Sequence, residues 1–141
     1  MIAENWGGMM MVSRGHLYDM RDFPGLVALL DGERVGLLTY RIEGEQCEVM
    51  SLNSLREGVG VGGALLKAVR DIASGAGCRR LWLITTNDNL HALRFYQRKG
   101  FTLAALYPNA LSASRALKPS IPLIGMDDIP LRDEIELEMV L

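Results

Sequence analysis

Apolar and polar residues follow one period in the first half of the chain and a longer one afterwards. Short apolar runs at residues 26–30, 35–41 and 47–52 predict an antiparallel meander of strands. The turn signals between them, Asp31-Gly32-Glu33 and Glu43-Gly44-Glu45, are typical of hairpins. Before the meander the pattern is weak, and residues 1–24 predict only a short strand near residues 10–13.

After the meander the period lengthens to that of an α-helix. Apolar residues recur three and four positions apart, at Val61, Ala64, Leu65, Ala68, Val69 and Ile72. The pattern then predicts a buried strand at residues 81–85 and a second helix at residues 89–99. Asn87 or Asp88 is the predicted N-cap of that helix, and Gly100 is its predicted stop.

The last third of the chain predicts two strands separated by a long excursion. The strands lie at residues 101–106 and 134–141, and the excursion at residues 108–130 contains a short helical piece at residues 110–117. In the last strand, acidic and apolar residues alternate. This alternation predicts a solvent-facing side made of Glu134, Glu136 and Glu138.

The order of these elements predicts an α/β fold of the α+β mixed-sheet kind, with a meander followed by a β-α-β-α-β-β segment. A strand–helix–strand step implies a right-handed crossover and therefore a parallel pair of strands. The length of 141 residues favours a single domain over residues 1–141, because two halves would each be too small to bury a useful core.

Composition argues against nucleic acid as a partner and favours a reducing cellular compartment. A net charge of -2 argues against nucleic acid, although Arg94, Arg98 and Lys99 could steer a phosphorylated small molecule. Cys47 and Cys78 have no metal-ligand spacing around them, which predicts buried apolar roles and no bound metal. Two thiols without a disulfide framework, no signal peptide and no apolar run near the roughly 20 residues of a membrane span predict a cytoplasmic protein.

A glycine-rich turn, Glu57-Gly58-Val59-Gly60-Val61-Gly62-Gly63, joins the third strand to the first helix. The first N–H groups of a helix have no partners inside it, and glycines let a ligand approach the backbone, so the turn suits a pyrophosphate. The glycine spacing also fits a dinucleotide fingerprint, but that fingerprint normally follows the first strand of a βαβ unit. A Walker loop fails because no GK[ST] is present, and a purely structural turn stays open.

The second helix carries the pattern N-x-x-A-x-x-F-Y-x-x-x-G-F over residues 89–101. A helical wheel places one set of residues on the inward face, namely Asn89, Ala92, Leu93 and Tyr96, and another on the outward face, namely His91, Arg94 and Arg98. An amide and a phenol on an inward face are unusual for a plain core helix, because buried polar groups require partners.

On these two motifs the sequence resembles the GNAT superfamily of N-acetyltransferases over about residues 26–106. The resemblance implies acetyl-CoA as the co-substrate. Its pantetheine arm is then expected between splayed parallel strands at residues 47–52 and 81–85, where backbone groups near Leu52 bind it. It places the pyrophosphate on the amides of Gly58, Val59, Gly60, Val61, Gly62 and Gly63. It makes Asn89, Ala92 and Phe95 the opposite wall of the cleft.

The resemblance also implies catalytic roles. Tyr96 matches the general acid of the family, and the alternative is an aromatic residue of the core. Glu48 lies near the usual place of a general base, and the alternative is a glutamate that is exposed at a bulge or faces solvent. Acidic residues of the excursion and just beyond it, Asp127, Asp128 and Asp133, either hold a cationic amine or belong to a solvated loop. The alternative functions are a non-catalytic acyl-CoA-binding or regulatory module and, third, a nucleotide-binding oxidoreductase.

Three departures from the family pattern bear on these expectations. Glu57 stands where the family usually has Gln or Arg, so a carboxylate is expected beside phosphate unless it points away and Arg56 compensates. The first strand and helix of the family are short or missing before Asp22. Part of the acceptor wall would then differ or come from another subunit, which is compatible with a homodimer. The excursion at residues 108–130 is also longer than a simple hairpin.

Overall fold

The computed structural model describes residues 10–56 and 58–141, and its elements follow the predicted order closely. They are β1 (Met10–Ser13), β2 (His16–Asp19), β3 (Gly25–Leu30), β4 (Glu33–Glu43), β5 (Gln46–Ser54), α1 (Val61–Gly75), β6 (Arg80–Thr86), α2 (Leu90–Arg98), β7 (Thr102–Tyr107), α3 (Ala110–Leu117) and β8 (Glu134–Val140). Two short 3₁₀ segments, Met20–Asp22 and Met126–Asp128, lie between them.

The sheet is mixed, as predicted, with the strand order β3-β4-β5-β6-β8-β7. The meander β3–β4–β5 is antiparallel, and β7 pairs with β8 in the same sense. β5 and β6 form the predicted parallel pair, joined at Gln46↔Arg80, Cys47↔Leu81 and Glu48↔Trp82. The parallel ladder thus involves only the first residues of two longer strands.

Two compact units make up the described chain. The first contains residues 20–82 without residue 57, together with Val140–Leu141, and α1 packs there against the meander. Gly36 allows this packing, because a Cβ at that position would lie 3.0 Å from Leu65 Cδ1 and still closer to Val61. Ala64, predicted on the apolar face of α1, is exposed. The core of this unit includes Leu38, Cys47, Leu65, Val69 and Leu81.

The second unit combines Met10–Asp19 with Leu83–Met139, and its β1–β2 hairpin contacts α3. β1 confirms the predicted short strand, whereas β2 was not predicted. The turn between them explains the omission. Arg14 (φ 48°) and Gly15 (φ 74°) both have left-handed backbones, and a hairpin turn of this kind normally begins with Asn, Asp or Gly.

The prediction that the glutamates of β8 all face solvent is wrong for Glu134. This residue is 2% exposed, and its carboxylate accepts from the Arg14 backbone N–H (3.2 Å) and from Arg14 Nη1 (3.1 Å). The guanidinium of Arg14 also lies 3.4 Å from the ring centroid of Tyr107. A carboxylate tolerates burial when it is paired and hydrogen-bonded, and the partner here is 120 residues away in sequence.

We therefore expect Glu134→Gln to destabilise the protein by about 1–3 kcal/mol, because the Arg14 groups lose their charged acceptor. Chemical denaturation of the variant measures this change. Glu45→Gln is the control, since Glu45 pairs with Arg79 at 3.7 Å with both side chains exposed, and such a pair contributes about 0–1 kcal/mol. Equal losses in the two variants would contradict a structural role for the Arg14–Glu134 pair.

Candidate functional site

The glycine turn has the backbone that a ligand cradle requires. Gly58 (φ 78°) and Gly60 (φ 77°) are both left-handed, and a Cβ on either would meet no described atom within 4 Å beyond its neighbours. Gly60 is the N-cap of α1 and has no side chain with which to cap it. The first N–H groups of α1 therefore follow two residues that have no side chains, which fits a pyrophosphate.

The other residues of this turn contribute in different ways. Val61 is buried, so it offers a ligand only its backbone, whereas Val59 is exposed. Gly62 and Gly63 are half-buried in the first turn of the helix. Glu57 lies outside the described residues, and Arg56, the proposed compensating charge, contacts Glu33 at 3.4 Å.

A β-bulge interrupts β5 next to Leu52, and the sequence alone did not reveal it. Thr39 faces Ser51 and Tyr40 faces Val49, which leaves Met50 as the extra residue. Leu52 faces Leu38 on the far side of this bulge. Bulges disrupt the ladder locally and are frequent next to active sites. The backbone irregularity therefore falls two residues before the position predicted to bind the pantetheine arm.

Glu48 lies in a pocket of about 310 Å³, lined by Arg41, Glu43, Gln46, Glu48 and Trp82. The Glu48 side chain is only 5% exposed, so the solvent-facing alternative is wrong, and its Oε1 accepts from Arg41 Nη2 at 2.8 Å. A buried carboxylate needs such a partner. The pocket thus brings a charge-compensated carboxylate and an indole ring to the same open, largely polar recess.

Tyr96 lies on the inward face of α2, as predicted. It is half-buried and makes edge-on ring contacts with Phe95 (5.3 Å between centroids) and Phe101 (5.5 Å). Burial raises the pKa of Tyr96 to about 12, so its hydroxyl keeps its proton at neutral pH. The side chain can therefore donate a proton or a hydrogen bond. The outward residues His91, Arg94 and Arg98 are exposed, also as predicted.

The predicted N-cap of α2 is wrong, because Asn89 caps the helix instead of Asn87 or Asp88. The Asn89 side chain accepts from the Ala92 backbone N–H at 3.1 Å. Asn89 and Ala92 are half-buried, as is Phe95, and Lys99 Nζ lies 5.8 Å from the Phe95 ring centroid. The cap occupies an oxygen of Asn89, so this residue is left with its amide N–H groups for any ligand.

Asn87 and Asp88 hold the end of the excursion, a function that sequence patterns did not reveal. Asn87 Oδ1 accepts from the backbone N–H groups of Arg132 (3.0 Å) and Asp133 (2.9 Å). Asp88 is 3% exposed, and its Oδ2 accepts from the Met126 N–H at 2.9 Å. Two short polar residues after a strand are typical of a helix cap, so the sequence pattern did not indicate this role.

The acidic residues at the end of the excursion divide into two kinds. Asp127 (φ 56°) and Asp128 (φ 59°) are exposed and left-handed. Asp133 accepts from the Asn109 N–H at 2.7 Å and lies 3.4 Å from Arg132 Nε. Asp133 Oδ1 is therefore engaged in structural contacts, whereas Asp127 and Asp128 have exposed side chains, and contact of any of the three with an amine stays a prediction.

Both thiols are buried, and the part of the chain that the structure describes contains neither a metal-binding cluster nor a helix that could cross a membrane. Cys47 and Cys78 are both buried, as predicted, and burial, with the nearby Cys78 and Glu48 as smaller causes, raises the pKa of Cys47 to about 12. Within residues 10–56 and 58–141, no group of His, Cys, Asp and Glu side chains is arranged to hold a metal ion. In the same part of the chain, each helix is too short or too polar to cross a membrane.

Comparisons with known proteins identify relatives of this chain. Residues 6–101 match the model of the acetyltransferase (GNAT) family. The uncharacterized Bacillus subtilis protein YdhI is 42% identical over 134 residues, which cover 94% of this chain and 84% of YdhI. Among solved structures, an IAA acetyltransferase from Bacillus cereus superposes with a TM-score of 0.71 at 27% identity, covering 83% of this chain and 77% of that one. A GNAT acetyltransferase from Elizabethkingia anophelis with acetyl-CoA bound superposes with a TM-score of 0.69 at 26% identity, covering 82% and 74%.

Proposed function

Because the chain belongs to the GNAT family of acetyltransferases, we propose that it transfers the acetyl group of acetyl-CoA to a primary amine. The observation that carries this proposal is the open, left-handed glycine turn at the start of α1, within the matched residues. The solved relative with acetyl-CoA bound supports the choice of donor. A cytoplasmic location and a homodimer stay predictions.

Donor binding is assigned to backbone groups rather than to charged side chains. The N–H groups of Gly58 to Gly63 would hold the pyrophosphate, since the positive end of the α1 dipole and the missing Cβ atoms both favour an anion there. Backbone groups near Leu52, beside the bulge, would bind the pantetheine arm. Asn89, Ala92 and Phe95 would form the opposite wall.

Two side chains, Glu48 and Tyr96, would act as general base and general acid. Acetyl-CoA supplies an activated acetyl group, and the amine must be neutral to attack it. Glu48 would remove a proton from the bound amine, directly or through a water molecule, and its pairing with Arg41 would hold it in place. Tyr96 would donate to the departing thiolate, because burial keeps its hydroxyl protonated. Orientation of the two substrates would supply much of the remaining acceleration.

An acetyl-CoA turnover assay with a panel of amines tests the function. The panel contains polyamines, lysine peptides, peptides with free N-termini, aminoglycosides and simple alkylamines. We expect at least one amine to raise the rate of CoA release and to yield an N-acetylated product by mass spectrometry. Glu48→Gln should then keep CoA affinity and lose turnover, on the order of 10²-fold as for a positioned base.

Three outcomes would change or contradict the proposal. Tight CoA binding without acetylation of any amine would favour the non-catalytic acyl-CoA-binding module on the same fold. Full turnover by Glu48→Gln would keep the acetyltransferase but return Glu48 to a structural role beside Arg41. A protein stabilised by NAD and not by CoA would contradict the assignment of the glycine turn.

A further inference from the structure

A pair of hydroxyl groups lies beside the bulge of β5. The side-chain oxygens of Thr39 and Ser51 share a hydrogen bond, and the two residues face each other in the ladder between β4 and β5. Thr39 is 0% exposed and Ser51 is half-buried. Because a buried hydroxyl requires a hydrogen-bond partner, the partner of Thr39 in β5 constrains how the two strands pair.

The strand on the other side of β4 shows which way the Thr39 hydroxyl points. A Cβ on Gly25 of β3 would lie 3.5 Å from Thr39 Cγ2, so the methyl group of Thr39 lies on the β3 side. The hydroxyl lies on the opposite side, toward Ser51. The χ1 angle of a β-branched side chain is restricted, so Thr39 holds its hydroxyl at the bulge.

The bulge decides which residue of β5 shares a face of the sheet with Glu48. Arg41 and Thr39 are two residues apart in β4, so their side chains lie on one face. Their partners, Glu48 and Ser51, are three residues apart, and they share that face because Met50 is the extra residue. In a register without the bulge, Met50 would lie opposite Thr39 and Ser51 would point to the other face. A thioether is only a weak acceptor, so the hydroxyl pair favours the bulged register.

We propose that Thr39 and Ser51 are positioning residues whose shared hydrogen bond fixes the bulge at Met50 and thereby aligns the backbone near Leu52 for the pantetheine arm of the donor. The bulge lies two residues before Leu52, so a shift of the bulge along β5 would turn the backbone groups that are proposed to bind the arm. The pair acts through the backbone and is assigned no contact with the donor. The inference rests on the proposed binding of acetyl-CoA.

Binding of CoA and of ADP tests this role, because ADP carries a pyrophosphate and lacks the pantetheine arm. Thr39→Val keeps the shape of the side chain and removes its hydroxyl. The Kd for CoA should rise about 10-fold, as for one misaligned hydrogen bond, while the Kd for ADP stays at the wild-type value. Isothermal titration calorimetry measures both constants. Thr102→Val is the matched control and should change neither, because the Thr102 hydroxyl donates to Glu138 O (3.4 Å) in other strands of the same sheet.

Variants of Ser51 provide the reciprocal test, and they also cover the case in which Thr39→Val misfolds. Ser51→Ala should weaken CoA binding as Thr39→Val does, whereas Ser51→Thr keeps a hydroxyl and should restore it. The double variant Thr39→Val/Ser51→Ala should bind CoA no more weakly than either single variant, because all three lack the same bond. Additive losses, or equal losses for CoA and ADP, would overturn the alignment role and leave a general loss of stability.

Hydrogen exchange separates this inference from the proposed donor. If the wild-type protein does not bind CoA, the donor assignment fails, and the amide exchange of residues 49–52 still reports on the bulge. Faster exchange there in Thr39→Val than in Thr102→Val would support a bulge fixed by the hydroxyl pair. Equal exchange in the two variants would overturn it.

Discussion

The Gly60→Val variant is expected to lose the stabilisation that CoA gives the wild-type protein. Gly60 precedes the first free N–H groups of α1, and valine would put a branched side chain where the pyrophosphate is proposed to lie. At a CoA concentration of about 100 times Kd, the wild-type protein should gain about 2.7 kcal/mol of unfolding free energy. A thermal-shift titration of both proteins with CoA measures the difference.

Backbone strain must be separated from the loss of the ligand. Gly60 is left-handed at φ 77°, so valine there also costs about 1–2 kcal/mol in the protein without ligand. Gly32→Val is the matched control, because Gly32 has φ 78° and equally open surroundings but lies in the β3–β4 turn. Both variants should melt at a lower temperature, and only Gly32→Val should keep the CoA shift. If CoA stabilises the two variants equally, the pyrophosphate does not lie on this turn.

The Tyr96→Phe variant is expected to bind acetyl-CoA and the amine normally but to react more slowly. Phenylalanine keeps the ring contacts with Phe95 and Phe101 and removes only the hydroxyl. An interaction made mainly in the transition state lowers kcat with little change in KM. The loss should be on the order of 10- to 10³-fold, at the low side of general-acid effects. Single-turnover acetyl transfer at saturating acetyl-CoA measures it.

The raised pKa of Tyr96 bears on how much kcat falls in Tyr96→Phe and on how that loss depends on pH. With a pKa of about 12, the hydroxyl is a weaker acid than a thiol of pKa about 8.5, so full proton transfer to the thiolate is uphill and the benefit is partial. A raised pKa also favours the proton-bearing form. The ratio of the wild-type rate to the variant rate should therefore stay constant from about pH 7 to about pH 10.

Tyr107→Phe is the control for the loss of a tyrosine hydroxyl in the same unit. The Tyr107 hydroxyl donates to Glu136 Oε1 at 2.7 Å, so this change should affect stability and leave the rate of acetyl transfer intact. A Tyr96→Phe protein that transfers acetyl at the wild-type rate would reduce Tyr96 to a wall of the cleft. A rate ratio that falls steeply between neutral and mildly alkaline pH would show that the hydroxyl ionises there.

Much of the fold follows from local pattern. The change from short apolar runs to a helical period predicted the boundary between β5 and α1, and the crossover rule predicted the parallel β5–β6 pair. The inward face of α2 and the open start of α1 were also predictable, since each depends on residues within one or two turns of helix. These features carry the two motifs on which the family resemblance rests.

Other features depend on partners that are distant in the sequence. Glu134 alternates with apolar neighbours and was therefore predicted to face solvent. It is buried instead, because Arg14, 120 residues away in the sequence, hydrogen-bonds its carboxylate. Asp88 was predicted as a helix cap, but in the structure it lies against Gly125 and accepts a hydrogen bond from the Met126 N–H. The bulge at Met50 has no sequence signal, because it is a property of the register between β4 and β5.

The sequence by itself determined the order of strands and helices, the glycine turn at a helix start and the face on which Tyr96 lies. Periodicity and helix-terminal chemistry act over a few residues, so a single chain segment contains the information. The tertiary structure alone decided that Glu48 and Glu134 are buried with arginine partners. It also decided that Asn87 and Asp88 accept hydrogen bonds from the backbone of Met126, Arg132 and Asp133. Burial of a charge is stable only beside its partner, and the place of that partner is set by the packing of the whole unit.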